Sequence, residues 1–152
     1  MENLLTITAD REDYAVGLSG ILHLEGFSGR GKGWFNNSDI KNFCSSLINL
    51  SKTMEGKVEL IGSDGKKGDI GYLETFALRL YILSDSKLNG IIGIHCTLAE
   101  RQGSDCRKEE ILKMSGEIQV RNQHIVTLAN DLQELMSGAI DEVRLIGDLS
   151  VF

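Results

Sequence analysis

Proline is absent from all 152 residues, so every turn falls to Gly, Asn, Asp and Ser, and glycine alone supplies 17 positions. Cysteine is scarce. Cys44, Cys96 and Cys106 are odd in number and irregularly spaced, which fits reduced thiols better than a disulfide framework. No apolar run approaches the ~20 residues of a membrane span. The start, MENLLTITADRED, has an acidic second residue and an apolar stretch too short and polar for a signal peptide, so the expected address is the cytoplasm. C-x-x-C, H-x-x-x-H and the calcium pattern D-x-[DN]-x-[DN]-G are all missing, and no metal or cofactor is expected. G-x-S-x-G and H-E-x-x-H are missing too. Basic charge is in short supply: 16 Lys and Arg stand against 22 Asp and Glu, a net charge of −6 that disfavours nucleic acid and anionic lipid.

What is present reads as alternating strands and two helices. LLTITA (4–9), AVGLSGILHLEGF (15–27), KVELIG (57–62), YLETFALRLYIL (72–83), LNGIIGIHCTLA (88–99), ILKMSGEIQV (111–120) and EVRLIGD (142–148) have strand composition. GSDGKKGD (62–69) reads as a hairpin tip and Ser84–Lys87 as a strand junction. Ile40, Phe43, Leu47, Leu50 and Met54 fall at the three-and-four spacing of one helix face, with Asn36, Asn37 or Ser38 able to cap the start and Gly56 the end. Ile125, Leu128, Leu132, Leu135 and Met136 mark a second face, closed by Gly138. The chain therefore predicts a single α+β domain over 1–152, with antiparallel sheet of about six to seven strands and two amphipathic helices. A shift of 85 residues pairs Asn37 with Asn122, Ile40 with Ile125, Phe43 with Leu128 and Leu47 with Leu132, then Val58, Leu60, Ile61 and Gly62 with Val143, Leu145, Ile146 and Gly147. A helix–strand duplication and convergent patterning both account for it.

GFSGRGKG (26–33) matches the first seven positions of G-x-x-x-x-G-K-[ST], but Gly33 replaces the hydroxyl residue that would ligate magnesium. Gly, Trp, Phe and Asn then intervene before the helix, so its N-terminus would not face a phosphate. The expected structure is a surface loop that lets glycine bend the backbone, carrying Arg30, Lys32 and Trp34 at an exposed tip or with Trp34 folded into the core. Trp34 or Phe35 is placed to staple the first helix. A small-ligand or nucleotide module, or an enzyme using this loop, is the alternative function. His95 and Cys96 are adjacent and so face opposite sides of a strand, and a thiol–imidazole dyad would need His23 or His124 instead.

From residue 127 onward Asp131, Glu134, Asp141, Glu142 and Asp148 oppose the single base Arg144. Such a face is either a solvated helix or a docking patch for a basic protein. G-F-x-G…W at Gly26–Trp34, the helix pattern Phe43, Leu47, Leu50, the strand pair through 72–98 and the final pattern Leu128, Leu132, Leu135 together resemble the WapI-type immunity proteins of bacteria. The strand after residue 138 departs from that pattern. The resemblance implies a non-catalytic protein that acts by binding and occluding another protein, in that family a polymorphic toxin. Candidate partner-binding residues are Asp131, Glu134, Asp141 and Glu142 for charge, with Arg30 and Trp34 as a second patch. A third class, a self-associating structural or regulatory subunit, stays open, as does homo-oligomerisation.

Overall fold

The computed structural model describes residues 3–65, 71–85, 90–103 and 105–148. The tip of the hairpin expected at 62–69 and the junction at Ser84–Lys87 lie partly outside them, as does the start of the strand expected at 88–99. The chain runs β1 (Leu4–Arg11), β2 (Ala15–Leu24), β3 (Phe27–Asn36), α1 (Asn37–Thr53), β4 (Lys57–Ser63), β5 (Glu74–Ser84), β6 (Ile91–Glu100), β7 (Leu112–Arg121), α2 (Gln123–Ser137) and β8 (Val143–Ile146). The class is α+β with an antiparallel sheet and two helices, and the described strands number eight rather than six or seven. The added strand is β3, the segment expected to be a glycine loop. Its Gly29, Gly31 and Gly33 recur every second residue, the period of a strand, and all three turn to the same side.

That side is the interior. A Cβ on Gly31 would overlap the Thr75 carbonyl oxygen and lie 2.7 Å from the Ala99 nitrogen. One on Gly33 would lie 2.9 Å from the Phe76 Cβ, and one on Gly29 2.6 Å from the Met114 Cβ. The glycines therefore do not loosen a loop. They bare the inner face of β3 so that the backbone of β5 and β6 can lie directly on it.

Strand order is β7-β6-β5-β4-β3-β2-β1-β8. Chain order divides the same elements into two βββαβ units, β1–β4 with α1 and β5–β8 with α2. Each unit gives its last strand to the other: β4 pairs with β5, and β8 with β1. Where each last strand parts from its own unit the pairing is thin. Among the described residues β3 pairs with β4 only at Trp34 and Ser63. Eighty-five residues on, the Asp148 N–H donates to the Gln119 carbonyl at 2.9 Å, which brings the end of β8 to β7 and closes the curled sheet. The 85-residue shift also carries Phe27–Asn36 onto Leu112–Arg121, the bounds of β3 onto those of β7.

Both helices cover the inner face and run antiparallel, since the Asn122 side chain at the start of α2 donates to the Ser51 carbonyl near the end of α1 at 3.0 Å. α1 buries Ile40, Phe43, Cys44, Leu47 and Leu50, and α2 buries Ile125, Leu128, Ala129, Leu132 and Leu135. Each large aliphatic or aromatic side chain so buried stabilises the fold by roughly 1.5–3 kcal/mol. At the start of α1 the Asp39 carboxylate accepts the Asn36 N–H at 3.1 Å. α1 stops at Thr53, before Gly56, because Met54 adopts the left-handed conformation (φ 52°) and returns its N–H to Leu50. Gly138 (φ 85°) closes α2, and the Arg11 guanidinium donates to the Met136 carbonyl, at the negative end of that helix dipole. No described helix is long and apolar enough to cross a membrane.

Candidate functional site

Outward-facing residues of β3 alternate with its glycines: Ser28, Arg30, Lys32, Trp34. Trp34 is half-buried; its ring reaches across the Cα of Gly17 on β2, where a Cβ would stand 3.3 Å from the ring. Lys32 lies 4.6 Å above the Trp34 ring centre and pairs with Asp10 at 3.0 Å. Trp34 therefore belongs neither to a core nor to a loop tip. Arg30 is exposed and pairs with Glu100 at 2.8 Å, and that bond raises its pKa. Both members of the second candidate patch thus share one strand face, each with a neighbour on it. A Walker-type cradle needs successive N–H groups converging ahead of a helix. Here Lys32 sits mid-strand and the next helix opens at Asn37.

Two of the four candidate acids lie on α2 and two in the turn after it. Asp131 and Glu134 are three apart on α2 and so share a helix face, while Asp141 and Glu142 lie exposed in the turn leading to β8. Beside them a groove of about 620 Å³ runs between the first turns of α2 and the strand β8. His124, Leu128 and Asp131 form its helical wall, with Val143, Leu145 and Ile146 on the strand side. A second groove, of about 450 Å³, lies between α1 and β4. Its Asp39, Phe43, Ser46, Val58, Leu60 and Ile61 stand 85 residues before those six. Each groove opens where a strand ends by turning into a helix, leaving the neighbouring strand with that helix alongside instead of a ladder partner. The 85-residue shift thus relates two grooves of one design, and the α2–β8 groove lies beside the candidate acids.

Across the outside of β4–β7 runs a polar row that reading the sequence did not assemble. Register aligns Glu59, Arg79, His95 and Glu117 on successive strands. Arg79 pairs with Glu59 at 3.1 Å and with Glu74 at 2.9 Å, and the Glu74 bond leads in raising its pKa. The Tyr81 ring covers Gly93, and its hydroxyl donates to Glu117 in a short bond. Burial and that carboxylate push the Tyr81 pKa up to about 12. These groups alternate along their strands, but which faces which depends on register, and register is set by hairpins that composition does not specify.

Cys96 is fully buried on the inner face of β6, with its neighbour His95 half-buried on the outer face. Burial pushes the Cys96 thiol up to about 12 and Cys44 to about 11, the opposite of an activated nucleophile. Cys106 is buried too, its thiol donating to the Arg107 carbonyl at 3.3 Å. Among the described residues no three His, Cys, Asp or Glu side chains converge as a metal site would require. Comparison with protein-family models, curated proteins and solved structures finds no match for the chain.

Proposed function

We propose that this chain is a non-catalytic binding protein that docks a basic protein partner on the acidic end formed by α2 and the turn into β8. The observation that carries the reading is the α2–β8 groove, because it joins an apolar floor of Leu128, Val143 and Leu145 to a wall bearing Asp131, with Asp141 and Glu142 at the approach to the strand. Apolar floor supplies contact area, and the acids steer encounter and reject acidic partners. In its most specific form, taken from the resemblance to WapI-type immunity proteins, the partner is a polymorphic toxin domain and the setting the cytoplasm. Arg30 and Trp34, on the outside of β3, make the second contact patch of that reading.

The test pairs the protein with the product of the adjacent reading frame. Cells making that product should survive when this protein is co-expressed, and the purified pair should associate more weakly as salt rises. Replacing Asp131, Glu134, Asp141 and Glu142 together by Lys should slow association by roughly 100-fold. Association that ignores both salt and charge reversal rules the acidic-face reading out.

A further inference from the structure

Among the described residues, the edge of β8 that faces the groove has no ladder partner over most of its length. In the pairing with β1, Leu4 stands opposite Ile146, Leu5 opposite Leu145, Thr6 opposite Arg144 and Ile7 opposite Val143. Just beyond, the Gly147 N–H donates to the Asn3 carbonyl at 2.8 Å. In an antiparallel pair the direction of the backbone groups alternates, so Gly147, Leu145 and Val143 turn theirs toward β1. Arg144, Ile146 and Asp148 turn theirs away. The Asp148 N–H confirms the parity, since it reaches Gln119 of β7 on the far side. Arg144 and Ile146 share that direction but pair with no described strand, because β7 ends at Arg121 and the chain turns there into α2. The groove of about 620 Å³ occupies the line that β7 would have followed.

We infer that the groove receives an extended, basic segment of another protein as an added strand on β8, with the outward N–H and C=O groups of Arg144 and Ile146 forming the new ladder. This rests on the docking function proposed above and specifies its mode. Strand addition would give the open edge of this four-residue strand a ladder partner. One set of a bound strand's side chains would face α2, over Leu128, Val143 and Leu145 with Asp131 beside them, and the other would lie outward beside Arg144 and Ile146, with Asp141 and Glu142 at the start of the strand. A second copy of this chain fits less well. Two β8 strands pairing antiparallel about a twofold axis would bring Asp141 and Glu142 of each copy toward Asp148 of the other.

Amide hydrogen exchange on the intact protein decides the matter, with a short blocked peptide of alternating lysine and valine as the probe. The Arg144 and Ile146 amides should exchange quickly in the free protein and slow by about tenfold or more when the peptide is present. A peptide N-methylated at alternate residues has lost the ladder groups and should give no protection. An alternating glutamate–valine peptide should bind at least about tenfold more weakly. Arg144→Pro removes an outward N–H while sparing the bonds to β1, and should abolish protection of Ile146. The N-methylated peptide asks the same question of unaltered protein should that variant fold poorly. Equal binding by the N-methylated peptide overturns strand addition and leaves acidic docking standing, whereas equal binding by the glutamate peptide defeats the docking reading itself. Failure of the lysine–valine peptide to protect either amide overturns the inference, and so does sedimentation showing that the protein dimerises through β8.

Discussion

Gly93 lies beneath the Tyr81 ring and Gly17 beneath the Lys32 side chain and the edge of Trp34, so the outer face keeps side-chain cover where it has no Cβ. Cys44 and Cys96 beneath that face, and Tyr81 upon it, resist ionisation. Cys44 and Cys96 are held neutral by burial to about 11 and 12, and Tyr81 to about 12 by burial with the Glu117 bond. These groups make no difference to stability near pH 7, where the folded and unfolded chains hold the same protons. Above pH 9 the unfolded thiols ionise while the folded ones do not, so the unfolded state gains and stability falls until the pH passes the folded values. The urea midpoint should therefore decline between pH 9 and 12, with the Tyr81 contribution entering above 10. Each pH unit costs about 1.4 kcal/mol for a fully buried thiol. Cys96→Ala should lower the midpoint at pH 7, through the cavity it leaves, yet flatten the alkaline decline. An equally steep decline in that variant would show that Cys96 does not carry it.

At the scale of single elements, β3 is the one whose nature composition concealed. The helices were legible because their buried residues follow the 3.6-residue period whatever the tertiary context: Ile40, Phe43, Leu47 and Leu50 are all in the core. β3 offers no such stripe, since its inner positions are largely glycines and what lies on them is Thr75, Phe76, Ala99 and Met114 from the other unit. The period-two spacing of Gly29, Gly31 and Gly33 was readable, but the surface it fits lay some 45 to 85 residues further along the chain. The groove was hidden for a related reason. The acids were visible as a charge excess, whereas the open edge beside them appears only once β8 is known to pair with β1. The strand role of β3 makes a sharp contrast between neighbouring glycines. Gly31→Ala should destabilise by about 3 kcal/mol in chemical denaturation, because backbone of two strands must move. Gly26→Ala, where a Cβ meets nothing within 4 Å, should be close to neutral or stabilise by a few tenths of a kcal/mol. Similar values for the two would return residues 26–33 to the status of a loop.

The whole molecule is built by exchange between similar units, and that sets how it can be divided. β4 finds its ladder on β5 and β8 finds its ladder on β1, so each unit lacks a partner for its last strand when alone. The core is shared in the same way. Gly20 of the first unit packs against Phe76 and Leu98 of the second, and Gly116 of the second against Leu24 of the first. A chain cut after β4 therefore exposes an unpaired apolar strand and half a core. It has one way to recover both, because β5 occupies in the second unit the place that β1 occupies in the first. Two copies of the first unit can pair β4 of each with β1 of the other and rebuild the eight-stranded order with exact twofold symmetry. A fragment ending just past β4 should sediment either as an unfolded monomer or as a folded dimer whose thermal midpoint rises with protein concentration. Adding the second unit should displace that dimer in favour of the native pairing, since Met114 sits over Gly29 in the intact chain and the homodimer would set Gly29 against Gly29, leaving a gap. A fragment that unfolds cooperatively as a monomer, at a midpoint indifferent to concentration, would mean that the units are independent domains and that the strand exchange contributes nothing to their stability.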